Sequence, residues 1–251
     1  MRALVLMLCL ASTAALAQVE RNLTKESPRN MLFEFKLGPY LPLIDRDPGL
    51  AGNPVYKNTF GTGPMLLGEI EVGREFFQKM GTLGVGISGG YAEKFAKAVI
   101  SGTASLSADA TGLHVVPLKA HVVYRFDWLA LNTPVPLVPY VKGGVTVSHW
   151  WITKGDALET TPATVGATAG TPAVGWSYGM HVAPGIEFLM DFLDPRLARD
   201  FDTGIGVNHT YIFAEFVFQE VNDFGRTNAT GGRAALDLSS RHVMFGINLE
   251  Y

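Results

Sequence analysis

Disulfide bonds are the first thing this sequence excludes. Its one cysteine, Cys9, lies inside an N-terminal stretch, MRALVLMLCLASTAALA, with the build of a secretory leader. Arg2 gives the positive start, Ala3 to Leu10 the short apolar run, and Ala15-Leu16-Ala17 the small-x-small pattern that precedes a cut. Leu6-Met7-Leu8 lack the small residue expected before a lipidated cysteine, so a lipoprotein is disfavoured. Charge is scarce as well. Asp, Glu, Lys and Arg make up 17% of the chain, against about 25% in an average soluble domain. A formal charge of −3 with no basic cluster excludes electrostatic binding of nucleic acid. Beyond residue 17 no run approaches the roughly 18 consecutive apolar residues of a membrane-spanning helix.

What is present is grease in another form. The chain is 47% hydrophobic and has 28 glycines. The apolar residues alternate with polar or small ones, the period of a strand with two unlike faces. Met31, Phe33, Phe35 and Leu37 oppose Glu34 and Lys36. Leu66, Ile70 and Val72 oppose Glu69 and Glu71. Leu83, Val85, Ile87 and Tyr91 oppose Thr82, Gly84, Gly86, Ser88 and Gly90. Glycine in a strand costs backbone entropy, so a row of it on one face suggests a narrow lumen that needs room for long side chains opposite. A fourth segment sets Val116, Leu118, Ala120, Val122, Tyr124, Phe126 and Trp128 against Lys119, His121, Arg125 and Asp127. A fifth sets Val141, Val145 and Val147 against Lys142, Thr146 and Ser148. A sixth sets Val174, Trp176, Tyr178, Met180, Val182, Ile186 and Phe188 against Ser177, His181 and Glu187. The seventh is ambiguous: Ile212, Ala214, Phe216 and Phe218 oppose His209, Glu215 and Gln219, but Tyr211 and Phe213 fall on the polar side. The eighth, HVMFGINLEY, alternates through Val243, Phe245, Ile247, Leu249 and Tyr251.

An apolar chain without long helices can satisfy its backbone in lipid only as a closed barrel. We therefore expect an all-β fold, a single antiparallel eight-stranded transmembrane β-barrel with short periplasmic turns and long extracellular loops. The expected division is 1–17 signal peptide, 18–30 periplasmic lead-in and 31–251 outer-membrane β-barrel. The spacing predicts loops of about 20 residues after strands one, three, five and seven, the third being SGTASLSADATG. It predicts short turns after strands two and four. The sixth connection, DFLDPRLARDFDT, is expected to hold one helical turn. Tyr91, Tyr124, Trp128, Tyr140, Trp150, Trp151, Trp176, Tyr178 and Tyr251 cluster at strand ends, as in an interfacial aromatic girdle. Two soluble folds compete. A β-sandwich would turn charged faces outward, and a lipocalin-like barrel would keep its grease inside. The leader, the missing cysteines, the loop asymmetry and the aromatic last residue favour the membrane.

The polar faces assemble a lumen network of Glu34, Lys36, Glu69, Glu71, Lys119, His121, Arg125, Lys142, His181, Glu187 and Glu215. Buried ions are tolerable only when paired, and eight strands enclose a space that side chains just fill. A closed, salt-bridged core is therefore the first reading, and a narrow channel or transporter for small solutes is the alternative. Arg125, Asp127, Lys142 and Glu187 fall at similar heights and are expected to form one network. Two groupings hint at a lipid hydrolase or acyltransferase: His209-Thr210-Tyr211 with Glu215, and Ser148-His149 with His114 and His242. Adjacent strand residues point to opposite faces, so Ser148 and His149 cannot act as nucleophile and base. No enzyme activity, cofactor or metal site is expected.

The runs FEFKLGPYLPLID, EIEVGREFFQKMGTLGVGISGGY, LKAHVVYRFDWLA and VPLVPYVKGGVTVSHWW resemble a family of uncharacterised outer-membrane β-barrel proteins known mainly from myxobacterial genomes. Tyr124-Arg125-Phe126-Asp127 and Pro139 to Gly144 are the most family-like blocks, and the likeness covers essentially the whole chain after the leader. It implies architecture and a cell outer-membrane location, but no activity. A wider similarity to small OmpW- or OmpX-type barrels rests on strand count and carries no residues. The last strand resembles the signal read by the outer-membrane barrel assembly machinery. That machinery, periplasmic chaperones, outer-membrane lipid and lipopolysaccharide are the expected partners.

Overall fold

The computed structural model describes residues 30–99, 106–160, 170–228 and 232–251. The expected leader, its cleavage site at Ala15 and Ala17, and the lead-in up to residue 29 lie outside the described residues. The long strands are β1 (Met31–Tyr40), β2 (Met65–Gln78), β3 (Thr82–Val99), β4 (Leu106–Arg125) and β5 (Leu137–Lys154). β7 (Val174–Leu189), β8 (His209–Val221) and β9 (Ser240–Glu250) follow, while β6 (Ala157–Leu158) is a two-residue piece folded back on β5. Each long strand pairs antiparallel with the next, and β1 pairs with β9, Leu32 opposite Glu250 through Leu37 opposite Phe245. The sheet is thus a closed eight-stranded antiparallel barrel with no free edge between its long strands.

The pleat sorts the residues. In β1 the even positions are buried and the odd ones exposed throughout. Around the wall, Phe35, Ile70, Ile87, Leu118, Val145, Met180, Ile212 and Phe245 all face outward. The ambiguous segment resolves with Tyr211 and Phe213 inside, beside His209 and Glu215. A register shift between Glu75 and Phe77 is a bulge, which turns Phe76 and Phe77 both outward.

Three expectations need correction. The third connection is not a long loop: β3 and β4 run on to Val99 and from Leu106, so most of SGTASLSADATG is strand. Trp128 is not a strand residue but opens the short helix α1 of the β4–β5 connection (Trp128–Asn132). The sixth connection holds not one turn but an 11-residue helix, α2 (Pro195–Ile205). All its signals are local. The Asp194 side chain accepts from the backbone N–H groups of Arg196 and Leu197, Pro195 occupies the first turn, and Gly206 ends the helix at φ 77°. A further helix, Val55–Phe60, lies in the β1–β2 connection at the opposite, loop end of the barrel.

Candidate functional site

Inside the barrel the alternating polar faces meet in two ionic clusters. Strand β1 delivers Lys36 to the centre of the first. Its ammonium donates to Glu71 at 3.0 Å and Glu215 at 2.8 Å, with Glu69 at 3.7 Å and Glu34 at 3.9 Å. From across the lumen Lys142 reaches Glu34 at 2.5 Å and Glu71 at 2.9 Å. Lys119 closes on Glu69 at 2.5 Å, and Tyr140 donates to Glu215 at 3.0 Å. His121 Nε2 lies 2.8 Å from Glu71. Thr146 and the Nδ1 of His181 are 2.9 Å apart, and the two imidazoles meet edge to face at 5.6 Å. Three lysines thus face four glutamates, with His121 as a further polar partner, and every one is nearly fully buried.

The second cluster surrounds Arg125 towards the turn end. Its Nε and Nη2 bond Glu187 at 3.0 and 2.8 Å, and Nη1 bonds Glu75 at 2.8 Å and lies 3.6 Å from Glu250. The guanidinium stacks 4.8 Å over the Tyr211 ring, and the Tyr211 hydroxyl donates to Glu250 at 2.9 Å. Asn248 donates to the other oxygen of Glu187 at 2.9 Å. Arg125 and Glu187 therefore do meet, but Lys142 of the expected four-residue network belongs to the Lys36 cluster. Asp127 accepts from Thr82 at 2.6 Å. Glu75 and Glu250 escaped the sequence-derived set although both sit on the polar period: Glu75 follows Glu69 and Glu71, and Glu250 lies between Leu249 and Tyr251. The glycine row has its physical reason here. A Cβ on Gly86 would meet His121 Nε2 at 2.7 Å, and one on Gly90 would meet Glu69 Cγ at 2.6 Å.

Apolar layers close both ends. Towards the loops, Tyr40, Met65, Leu67, Leu113, Val217 and Leu238 pack with Ile44 and Tyr56 from the β1–β2 connection. Arg46 holds that connection down, at 2.7 Å from Glu220 and 3.1 Å from Asp237. Towards the turns, Ala130, Val138, Leu189 and Tyr211 form the last layer. Between Lys36, Lys119, Lys142, His121, His181 and Glu215 the remaining void is about 10 Å³. That is room for at most one water.

Both hydrolase groupings come apart. Ser148 faces inward while His149 faces outward between Trp151 and Trp176, its Nδ1 3.1 Å from the Gly175 carbonyl. His114 stacks on Trp151 on the outer wall, whereas His242 lies inside against Tyr40. His209 bonds Asp191 at 2.6 Å, and Glu215 is taken by Lys36 and Tyr140. Of the expected girdle, Tyr91, Tyr124, Trp128, Trp176, Tyr178 and Tyr251 are exposed and Trp151 is part-exposed on the outer wall. Tyr140 is the correction: it faces the lumen, because its register on β5 puts it on the side of Lys142. Trp150 likewise turns inward, onto Gly175. Val243, Phe245, Ile247, Leu249 and Tyr251 line the outer face of β9 and the residue after it.

No protein-family model matches the chain, and no curated protein matches it. Among solved structures it is similar to the outer membrane protein OprG from Pseudomonas aeruginosa, with a TM-score of 0.45 at 8% identity over 90% of this chain and 97% of that one. It is similar to Ail, the attachment invasion locus protein of Yersinia pestis, in complex with the heparin analogue sucrose octasulfate, with a TM-score of 0.43 at 10% identity over 90% of this chain and all of that one. The N-terminal β-barrel domain of Pseudomonas aeruginosa OprF gives a TM-score of 0.36 at 13% identity over 90% of this chain and 100% of that one.

Proposed function

We propose that this chain is an integral outer-membrane protein whose barrel is closed, a structural or surface-interaction barrel rather than a pore. The observation that carries the reading is the filled lumen: two ion clusters between two apolar layers, with a central void of about 10 Å³. A solute path would need a continuous gap, and hydrated ions need more room than one water.

The membrane setting follows from which side is greasy. Water cannot be the solvent of a wall built from Phe35, Ile70, Ile87, Val145, Met180 and Ile212 while four lysine and arginine side chains point inward. From Tyr124 to His114 strand β4 rises about 33 Å. At the roughly 40° tilt of such barrels this spans about 25 Å, the height of an outer-membrane apolar belt. Tyr91, Trp151, Trp176 and Tyr178 then mark one interface, and Tyr124, Trp128 and Tyr251 the other. The short connections face the periplasm and the long ones the cell exterior. There the β1–β2 segment and the extended β3, β4 and β5 offer a contact surface, with lipopolysaccharide as surrounding lipid. The apolar side of β9 serves the assembly machinery, with periplasmic chaperones carrying the unfolded chain.

Planar-bilayer recording of the refolded protein tests it. The expected result is no unitary conductance, unchanged when residues 47–60 are trimmed. Regular conductance steps would sink the closed reading in favour of a narrow channel. Lipid hydrolysis or acyl transfer lost on His149→Ala or His209→Ala would replace it with an enzyme.

A further inference from the structure

The helix between β7 and β8 has its faces reversed. A helix that docks on its own protein turns its apolar stripe inward and its charges outward. In α2 the stripe is Leu197, Phe201 and Ile205, spaced by four, and these are 48, 39 and 66% exposed. Leu193, one turn earlier, is 63% exposed. The residues half-buried on the opposite side are Pro195, Arg199 and Asp202, with Ala198 on the flank. The helix is capped at both ends by its own sequence, so its orientation is not a by-product of fraying. Among the described residues the stripe stays open.

Its position says what covers it. α2 starts six residues after β7 ends and stops four before β8 begins, at the turn end of the barrel. The wall beside those strand ends carries an apolar groove of about 380 Å³ lined by Leu137, Ile186, Phe188, Ile212, Ala214 and Phe245. The greasy wall and the greasy helix face thus lie at the same end of the barrel. Arg196 and Thr203 are exposed together on one flank of the helix, about 100–120° round from Leu197. Asp200 is exposed between that flank and the stripe.

We propose that α2 is an interfacial helix lying in the plane of the inner leaflet. Leu193, Leu197, Phe201 and Ile205 sit at the boundary between phospholipid headgroups and acyl chains, about 5–10 Å deep. This rests on the membrane reading of the barrel. A second copy of the chain is the weaker occupant: three side chains on an 11-residue helix, about 16 Å long, and Leu193 just before it, fall far short of the roughly 800 Å² that each partner of a stable dimer buries.

The test uses the full chain with Cys9→Ala and one added cysteine at a time, Leu197→Cys, Ile205→Cys, Thr203→Cys or Val145→Cys. Each carries an environment-sensitive fluorophore and is refolded into phosphatidylethanolamine–phosphatidylglycerol vesicles with and without brominated acyl chains. Labels at 145, 197 and 205 are expected to shift to the blue and lose intensity to bromine. The label at 203 is expected to do neither. Quenching at 145 with none at 197 and 205 overturns the helix assignment and leaves the barrel standing. No quenching at 145 removes the membrane reading and this proposal together. Blue-shifted but unquenched labels at 197 and 205, whose self-quenching falls on mixing with unlabelled chain, assign the stripe to a second copy and overturn the lipid assignment.

Discussion

At the scale of the residue, the lumen replaces water by partners. Lys142 is 1% exposed and has lost its hydration shell, which Glu34 and Glu71, with Glu215 at 3.8 Å, offset. Removing one member of such a set leaves opposite charge buried without compensation. Lys142→Met is therefore expected to cost about 3–5 kcal/mol, read as a lowered urea midpoint of the vesicle-inserted protein. Adding Glu34→Gln to Lys142→Met should restore part of that loss, because the two side chains share one interaction. No recovery would mean that the ions do not act as a set. Gly144 illustrates the opposite constraint. A Cβ there would lie 2.0 Å from the Ala120 carbonyl oxygen on β4, which is backbone and cannot swing aside. Gly144→Ala is expected to prevent recovery of folded barrel, whereas Gly143→Ala, whose Cβ meets nothing nearer than 4.0 Å, should fold.

At the scale of the element, the β1–β2 connection behaves as a stopper. Its helix places Tyr56 in the apolar layer over the lumen, near Asp45, and burial first and that carboxylate second push the phenol up to about 12. A folded-state value above the unfolded one near 10 favours the neutral phenol in the packed segment. Its contribution is whole below pH 10 and fades as pH rises through about 12. Hydrogen exchange in residues 44–60 should therefore speed up between pH 10 and 12 in the native chain, and less steeply in Tyr56→Phe. Equal acceleration in both would discount the tyrosine. How far this level was legible in sequence varied by element. β1 and β9 alternate along their length and β2 up to its bulge, and their faces are as the period reads them. The ends of β3 and β4 were not legible, because Ser, Thr, Ala and Asp at 101–112 read as loop until the two strands pair with each other. The length of α2 was underestimated although Asp194, Pro195 and Gly206 were all in view. A greasy stripe broken by five charged residues does not announce a helix until its capping is taken as a unit.

At the scale of the whole molecule, the question is which solvent wets the wall. Val145 is 56% exposed, and in a water-soluble fold an exposed Val→Arg change costs within about 0.5 kcal/mol. At the midplane of a bilayer it costs about 2–4 kcal/mol. Val145→Arg measured by urea titration in vesicles should fall in the second range, and a negligible effect would remove the barrel from the membrane. Electrophoresis gives an independent check: the unboiled protein should migrate differently from the boiled one, since a closed hydrogen-bonded cylinder survives detergent until heated. A single migration regardless of heating would count against closure.

The alternation of apolar and polar residues was enough by itself to set the strands, their two faces and the inward direction of the charges, because the strand period of two is a local property of the backbone. It also exposed the glycine row of β3. Which ions would pair, that Lys142 would join Lys36 rather than Arg125, and that Tyr140 would turn its hydroxyl to Glu215 were decided by the tertiary structure alone. Those contacts depend on the relative stagger of strands distant in sequence, such as β1 against β9, and stagger is set by barrel closure rather than by any single strand.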